Sequence, residues 1–273
     1  CVWGKMFGQF ACDATTFIYD FDRFVPANVL KVIQDYKITS FCAPPTMYRF
    51  FIKEGLEHYD LSSLKYSCIA GEALNPEVYN KWYEYTGLKL MEGFGQTETA
   101  VLVGNLYGTE PKPGSMGKPT PLYKVGIVDK KGNPVKVGET GEIVVYAERG
   151  KHQGLFVKYY RNAVETDKAW RFDIYHTGDT AYMDEDGYYW YVGRTDDLIK
   201  ASGYRIGPFE IESILMEHPS VLECAITAAD DPIRGKVVKA TIVLTKEYKD
   251  KAGDALVKEL QNYVKKSTAP YKY

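Results

Sequence analysis

Several large classes of protein are excluded by what the 273-residue sequence lacks. Its 5 cysteines, at positions 1, 12, 42, 68 and 224, are odd in number, scattered and without a CxxC spacing. Neither a zinc site nor a disulfide framework is indicated, and a reducing compartment, the cytoplasm, is expected. No run of Lys and Arg exceeds a pair, and 34 basic against 36 acidic residues leave a formal charge of −2. A nucleic-acid footprint is therefore absent from the pattern. No apolar run approaches the length of a membrane span. The start, CVWGKMFGQF, lacks an initiator Met and a signal-like segment, and the end, STAPYKY, stops just after a helix-like stretch. Both read as cuts in a longer protein.

What is present is globular. Apolar residues make up 45% and charged residues 26%, ordinary usage for a packed protein, while 23 Tyr point to broad, partly polar packing surfaces or pockets. The length favours two units, each with its own core. Between about residues 26 and 92, helix-like PANVLKVIQDYK, PTMYRFFIKEG and NPEVYNKWYEY alternate with strand-like TSFCA, KYSCIAG and LKLMEG. That is a βα repeat feeding a mostly parallel sheet, whose Gly- and Pro-bearing loops are where such folds keep ligands. After about residue 110, YKVGIVD, GEIVVYA and YYWYVG are separated by DKKGNP, GETG and DEDG, the pattern of antiparallel hairpins in a small barrel or sandwich. From near 197, helical PFEIESILMEH and GDALVKELQNYVKKS bracket strand-like VLECAITAA and KVVKATIVLT, a small α+β module.

One loop carries a possible phosphate signal. GFGQTET, residues 93–99, follows an apolar strand, but a dinucleotide fingerprint requires Gly where this chain has Glu98. Alone, the heptapeptide reads equally as a strand-terminating turn. Its neighbours make it specific. IAGEALNP (69–76), GFGQTET, YHTGDTA (175–181) and GRTDDLIKASGYRIGPFEIE (193–212) occur in this order and together resemble the adenylate-forming superfamily of acyl-CoA synthetases. VWGKMFGQF, YDFDRF, FCAPPT, LMEHPSV, DPIRGKVVKA and TAPYKY are similar to its medium-chain acyl-CoA synthetase branch.

The resemblance implies an α/β fold: the C-terminal part of a large adenylate-forming domain over 1–195, with α/β at 1–109 and a small antiparallel β-barrel subdomain at 110–195, then a small mobile α+β domain over 196–273. It implies a carboxylate attacking the α-phosphate of ATP to give acyl-AMP, and CoA then displacing AMP. Gly71, Glu72, Ala73 and Phe94 match the adenine site, with Gly95 and Gln96 beside them. Asp179 matches the carboxylate that accepts two ribose hydroxyls. Thr97 matches the hydroxyl donor to the α-phosphate and Glu98 the Mg²⁺ ligand, a hard oxygen for a hard cation. Arg194 matches the guanidinium that bridges nucleotide oxygens from the domain boundary. Asp196 aligns with the hinge. Lys200, Ser202, Gly203, Tyr204 and Arg205 fall on the segment that meets CoA once the small domain has turned. Taken singly, Asp179 reads as a turn residue, Glu98 as a solvated acid and Arg194 as part of a surface ion-pair network.

Acetate-specific relatives carry Trp immediately before Gln-Thr-Glu, where this chain has Gly95; an acid longer than acetate is expected. The family's Ser/Thr/Gly-rich phosphate loop lies upstream of these residues and its adenylation lysine downstream of Tyr273, so these 273 residues alone are not expected to run adenylation. Two alternatives remain: a ligase serving a carrier-protein thiol, and a non-catalytic nucleotide-binding remnant. Homo-oligomers occur in the family, and no surface stripe decides the matter here.

Overall fold

The computed structural model describes residues 7–201, 204–232 and 235–268. They form two compact units, Cys1–Thr177 with Tyr182–Trp190, and Gly178–Ala181 with Tyr191–Tyr273. The first opens with a single turn of helix, α1 (Gln9–Ala11), and then follows the alternation expected from sequence: α2 (Pro26–Asp35), β1 (Ser40–Ala43), α3 (Pro45–Glu54), β2 (Tyr66–Ile69), α4 (Pro76–Thr86) and β3 (Leu90–Gly95). Pro occupies the first turn of all three longer helices, where its missing N–H costs no hydrogen bond. β1, β2 and β3 pair in parallel.

Strand alternation sends Phe41, Ala43, Ser67, Ile69, Leu90 and Glu92 to one face. Trp82, Tyr48, Phe51, Leu30 and Ile33 pack in the same core, all essentially buried. The Tyr48 hydroxyl donates to Phe41 O (3.2 Å) and Cys68 O (3.1 Å), and burial holds its pKa well above the usual phenol range. α4 is capped by Asn75, whose Oδ1 accepts from Glu77 N at 2.7 Å. Asn75→Ala is expected to cost about 1 kcal/mol of unfolding free energy, read by urea titration; no change would remove the cap from the account of how the preceding loop is anchored.

The sheet continues in a way the sequence pattern did not announce. After β3 the chain turns back as β4 (Val101–Gly104) and then β5 (Lys118–Pro119), both antiparallel, giving the order β1-β2-β3-β4-β5. A second sheet has the order β6-β7-β8-β9, from β6 (Val125–Val128), β7 (Gly141–Val145), β8 (Tyr175–Met183) and β9 (Tyr189–Arg194), with the short helix α5 (Ala163–Ala169) before β8. β6 and β7 are antiparallel, as their turn signals predicted.

The second unit contains the hairpin β10 (Ile199–Ala201) and β11 (Tyr204–Ile206), α6 (Pro208–Glu217), the long antiparallel pair β12 (Val221–Asp231) and β13 (Gly235–Leu244), and α7 (Asp254–Ser267). Its core joins Ile199, Ile206, Ile211, Leu215, Val221, Ile226, Leu256, Leu260 and Val264. The turn after α6 is held by His218, whose Nδ1 meets Ser220 Oγ at 2.8 Å and whose Nε2 lies 3.3 Å from Glu259 on α7.

Candidate nucleotide site

The turn between β3 and β4 carries Gln96, Thr97 and Glu98. Gln96 N donates to Thr99 Oγ1 (3.0 Å) and Thr99 N to Gln96 O (3.2 Å), so a fully buried threonine closes the turn. Thr97 is thereby lifted to the exposed tip and Glu98 follows it, half-buried. The Gln96 side chain is committed to the fold. Its Nε2 donates to Thr177 O at 2.8 Å, and its Oε1 accepts from the Tyr175 hydroxyl. Gln96 thus holds the turn against the start of β8. Glu98 is held at two points: Phe156 N donates to its carbonyl oxygen (2.8 Å), and the Tyr159 hydroxyl donates to its Oε1 (2.8 Å).

Gly95 is small for a local reason. A Cβ there would lie 2.2 Å from Ala100 O, because β3 and β4 close tightly across a bulge between Phe94 and Gly95. With the backbone of this hairpin a side chain at 95 would force Ala100 to shift, so the missing side chain does not by itself measure the room in an acyl pocket.

Gly71, Glu72 and Ala73 form the loop between β2 and α4, with Glu72 exposed and its Oε2 accepting from Thr46 Oγ1 at 2.7 Å. Phe94 lies half-buried on β3, opposite Val103. Behind the loop is a residue that sequence reading passed over. Glu92 is buried, and its Oε1 accepts from Leu74 N at 3.3 Å. Burial pushes its pKa up to about 8, the Leu74 N–H offsetting only part of this. Unfolded, the same group ionises near 4.5. Between those values the folded state holds the extra proton, so this group's contribution is full below the lower value and drains as pH rises toward the higher. Glu92→Gln is expected to melt about 10 °C above the unmodified protein at pH 8, with the difference largely gone near pH 5. A gap that does not change with pH would refute the buried-acid assignment.

In the second unit, Asp179 is buried on β8 and faces Arg194 and Tyr191. Arg194 Nη1 lies 3.5 Å from Asp179 Oδ2 and its Nε 3.3 Å from Asp196 Oδ1; the Tyr191 hydroxyl donates to Asp179 Oδ1 at 3.3 Å. Burial opposes the Arg194 charge, and the two aspartates more than offset it. Burial first, then the Asp179 charge, raises the Tyr191 hydroxyl far above its ordinary value and keeps it a donor. Gly178 makes this possible. Its φ is +74°, and a Cβ would come within 3.0 Å of Arg194 Nη2, so the guanidinium lies where a side chain would otherwise stand. Asp196 is exposed beyond Arg194. Ser202 and Gly203, and the side chains of Lys200, Tyr204 and Arg205, lie outside the described residues.

Each of the predicted residues Gln96, Glu98 and Asp179 is thus held by a tyrosine hydroxyl that sequence reading did not single out: Tyr175, Tyr159 and Tyr191 respectively. The only sequence signal for them was the abundance of Tyr. Among the described residues no three His, Cys, Asp or Glu groups converge as a metal cage. Glu98 beside Thr97 nevertheless fits a divalent cation that takes one protein carboxylate and completes its shell with phosphate oxygens and water.

Residues 2–160 match the AMP-binding enzyme family, and residues 210–273 the AMP-binding enzyme C-terminal domain. The human acyl-coenzyme A synthetase ACSM3, mitochondrial, is 46% identical over 271 residues, 99% of this chain and 46% of that protein. The human ACSM4, mitochondrial, is 46% identical over 270 residues, 99% of this chain and 47% of that protein. Among solved structures, the anthranilate CoA ligase AuaEII in complex with anthranoyl-AMP aligns with a TM-score of 0.85 at 32% identity, over 95% of this chain and 48% of that one. A benzoate CoA ligase from Burkholderia xenovorans LB400 aligns with a TM-score of 0.85 at 26% identity, over 97% and 52%. The chain spans about half the length of the curated relatives it matches. The fold is that of adenylate-forming enzymes, with mixed sheets and helices and the family's C-terminal domain.

Proposed function

The chain belongs to the AMP-binding enzyme family, and on that premise we propose that it is part of an AMP-forming acyl-CoA synthetase that activates a carboxylic acid with ATP and hands the acyl group to CoA. The observation that carries the reading is the β3–β4 turn, closed by Thr99, which carries Thr97 and Glu98 as consecutive residues with the Glu98 carboxylate held by Tyr159. Adenylation moves negative charge without needing a covalent nucleophile from the protein, so placement and electrostatics are what the chain must supply.

In this reading the Gly71–Ala73 loop and the Phe94 ring hold the adenine, Asp179 accepts from the ribose hydroxyls, and Thr97 donates to the α-phosphate. Arg194 bridges nucleotide oxygens, its charge kept by Asp179 and Asp196. Glu98 holds Mg²⁺, which when bound neutralises phosphate charge as the bond to the α-phosphate forms. Gly203, Tyr204 and Arg205 are assigned to CoA, and Asp196 to the hinge between the proposed domains 1–195 and 196–273. Gln96, held by Tyr175 and Thr177, is assigned to supporting the turn beside the nucleotide.

The acid is proposed to be longer than acetate. The hairpin explains Gly95 without reference to substrate, so support comes from solved relatives whose names specify anthranilate and benzoate. No described helix is long and apolar enough to cross a membrane. The curated relatives are named as mitochondrial, and we extend that location to this chain in place of the cytoplasm expected from its cysteines. The test is acid-dependent pyrophosphate release by the gene-encoded protein with ATP, Mg²⁺ and CoA across acetate, butanoate, octanoate and benzoate. Acyl-CoA and AMP formed from the longer acids support the assignment; activity with acetate alone refutes the size argument, and no activity with any acid refutes the synthetase.

A further inference from the structure

We infer that Tyr159 is a positioning residue for the Glu98 carboxylate, fixing one oxygen so that the other is presented to a divalent cation; this rests on the metal role proposed for Glu98. The Tyr159 hydroxyl donates to Glu98 Oε1 at 2.8 Å from a position 61 residues further along the chain. The tyrosine is itself anchored. Its N–H donates to Thr166 Oγ1 at 3.0 Å, and that buried hydroxyl donates to Asn162 O at 2.7 Å, in the first turn of α5. Its ring lies 4.7 Å from that of Phe156, which in turn packs against Trp170 (5.9 Å) and Tyr175 (5.5 Å). Phe156 also donates its N–H to the Glu98 carbonyl oxygen at 2.8 Å. The segment from Phe156 to Tyr159 therefore grips both the backbone and the side chain of the same residue.

The consequence follows from what a small divalent cation demands. Mg²⁺ tolerates little departure from octahedral geometry and takes few protein ligands when bound with a nucleotide. With one carboxylate available, its rotamer is decisive. A hydrogen bond to Oε1 restricts the rotamer in advance and leaves Oε2 to serve as the ligand atom. Partners behind a metal ligand typically contribute 10- to 100-fold in metal affinity. Tyr159 supplies that support without touching the reacting atoms.

The experiment is Mn²⁺ binding to the gene-encoded protein with a non-hydrolysable ATP analogue, followed by electron paramagnetic resonance, for the unmodified protein, Tyr159→Phe and Glu98→Gln. Tyr159→Phe keeps the ring and its packing, so the thermal midpoint without metal should fall by no more than about the few degrees that one lost hydrogen bond costs. The Mn²⁺ dissociation constant is expected to rise about 10-fold. The Mg²⁺ concentration for half-maximal pyrophosphate release should rise by the same factor, while kcat at saturating metal stays within about threefold. Unchanged Mn²⁺ affinity in Tyr159→Phe, with Glu98→Gln weakened, overturns the role of the tyrosine alone. Unchanged affinity in both overturns the metal role of Glu98, and that of Tyr159 with it.

Discussion

Glu98→Gln is expected to lower acid-dependent pyrophosphate release by the gene-encoded protein about 10²- to 10³-fold, the size typical of removing one electrostatic contact to a developing charge. The substitution is chosen for what it preserves. A Gln side chain has the same length, and its amide oxygen still accepts from the Tyr159 hydroxyl, so the turn built by Thr99 and Phe156 should stand. What disappears is the negative charge. Neutral amides are poor ligands for Mg²⁺ beside the carboxylate they replace, so raising Mg²⁺ should recover little of the rate, and the loss should appear in kcat as well as in KM for ATP. Tyr159→Phe removes the support and leaves the charge, and its defect is expected to vanish at high metal. Activity of Glu98→Gln within threefold of the unmodified protein would mean that this carboxylate is not the metal ligand.

The contrast between those two variants also shows which parts of the site were legible. The βα half could be read because its signals are local: a Pro at the first turn of each helix, apolar residues on one helix face, and short apolar strands ending in loops. Thr97, Glu98 and Asp179 were singled out because their motifs occur together in a fixed order. The supports were not found, because a hydrogen bond between residues 61 or 79 positions apart leaves no trace in spacing. The β3–β4 hairpin was missed for a related reason. It lacks an Asn-Gly or Asp-Gly turn, and the device that makes it, a buried threonine exchanging hydrogen bonds with Gln96, is legible only in three dimensions. Glu92 is a different case. Strand alternation puts it on the same face as Leu90, so a charged residue aimed into a core was there to be noticed.

Asp179→Asn should lower kcat/KM for ATP by about 10²- to 10⁴-fold, because hydrogen bonds to a charged acceptor contribute about 1.5–3 kcal/mol each and two are proposed to ribose. The buried carboxylate is surrounded by donors, the Tyr191 hydroxyl at 3.3 Å and Arg194 Nη1 at 3.5 Å. An amide of the same shape keeps one acceptor oxygen and turns an NH₂ toward one of those donors, so one contact becomes donor against donor. Arg194 then loses a buried counter-charge and keeps its contact to the exposed Asp196. A merely structural Asp179 would lower stability on substitution but leave the variant discriminating among nucleotides as the unmodified protein does. The discriminating measurement is therefore pyrophosphate release with ATP, 2′-deoxy-ATP and 3′-deoxy-ATP. The unmodified protein should lose activity with each deoxy analogue, and the variant, having already lost its grip on both hydroxyls, should barely distinguish the three. If the deoxy analogues cost the variant as much as they cost the unmodified protein, the ribose is held elsewhere, and Asp179 serves the fold through contacts such as those with Arg194 and Tyr191.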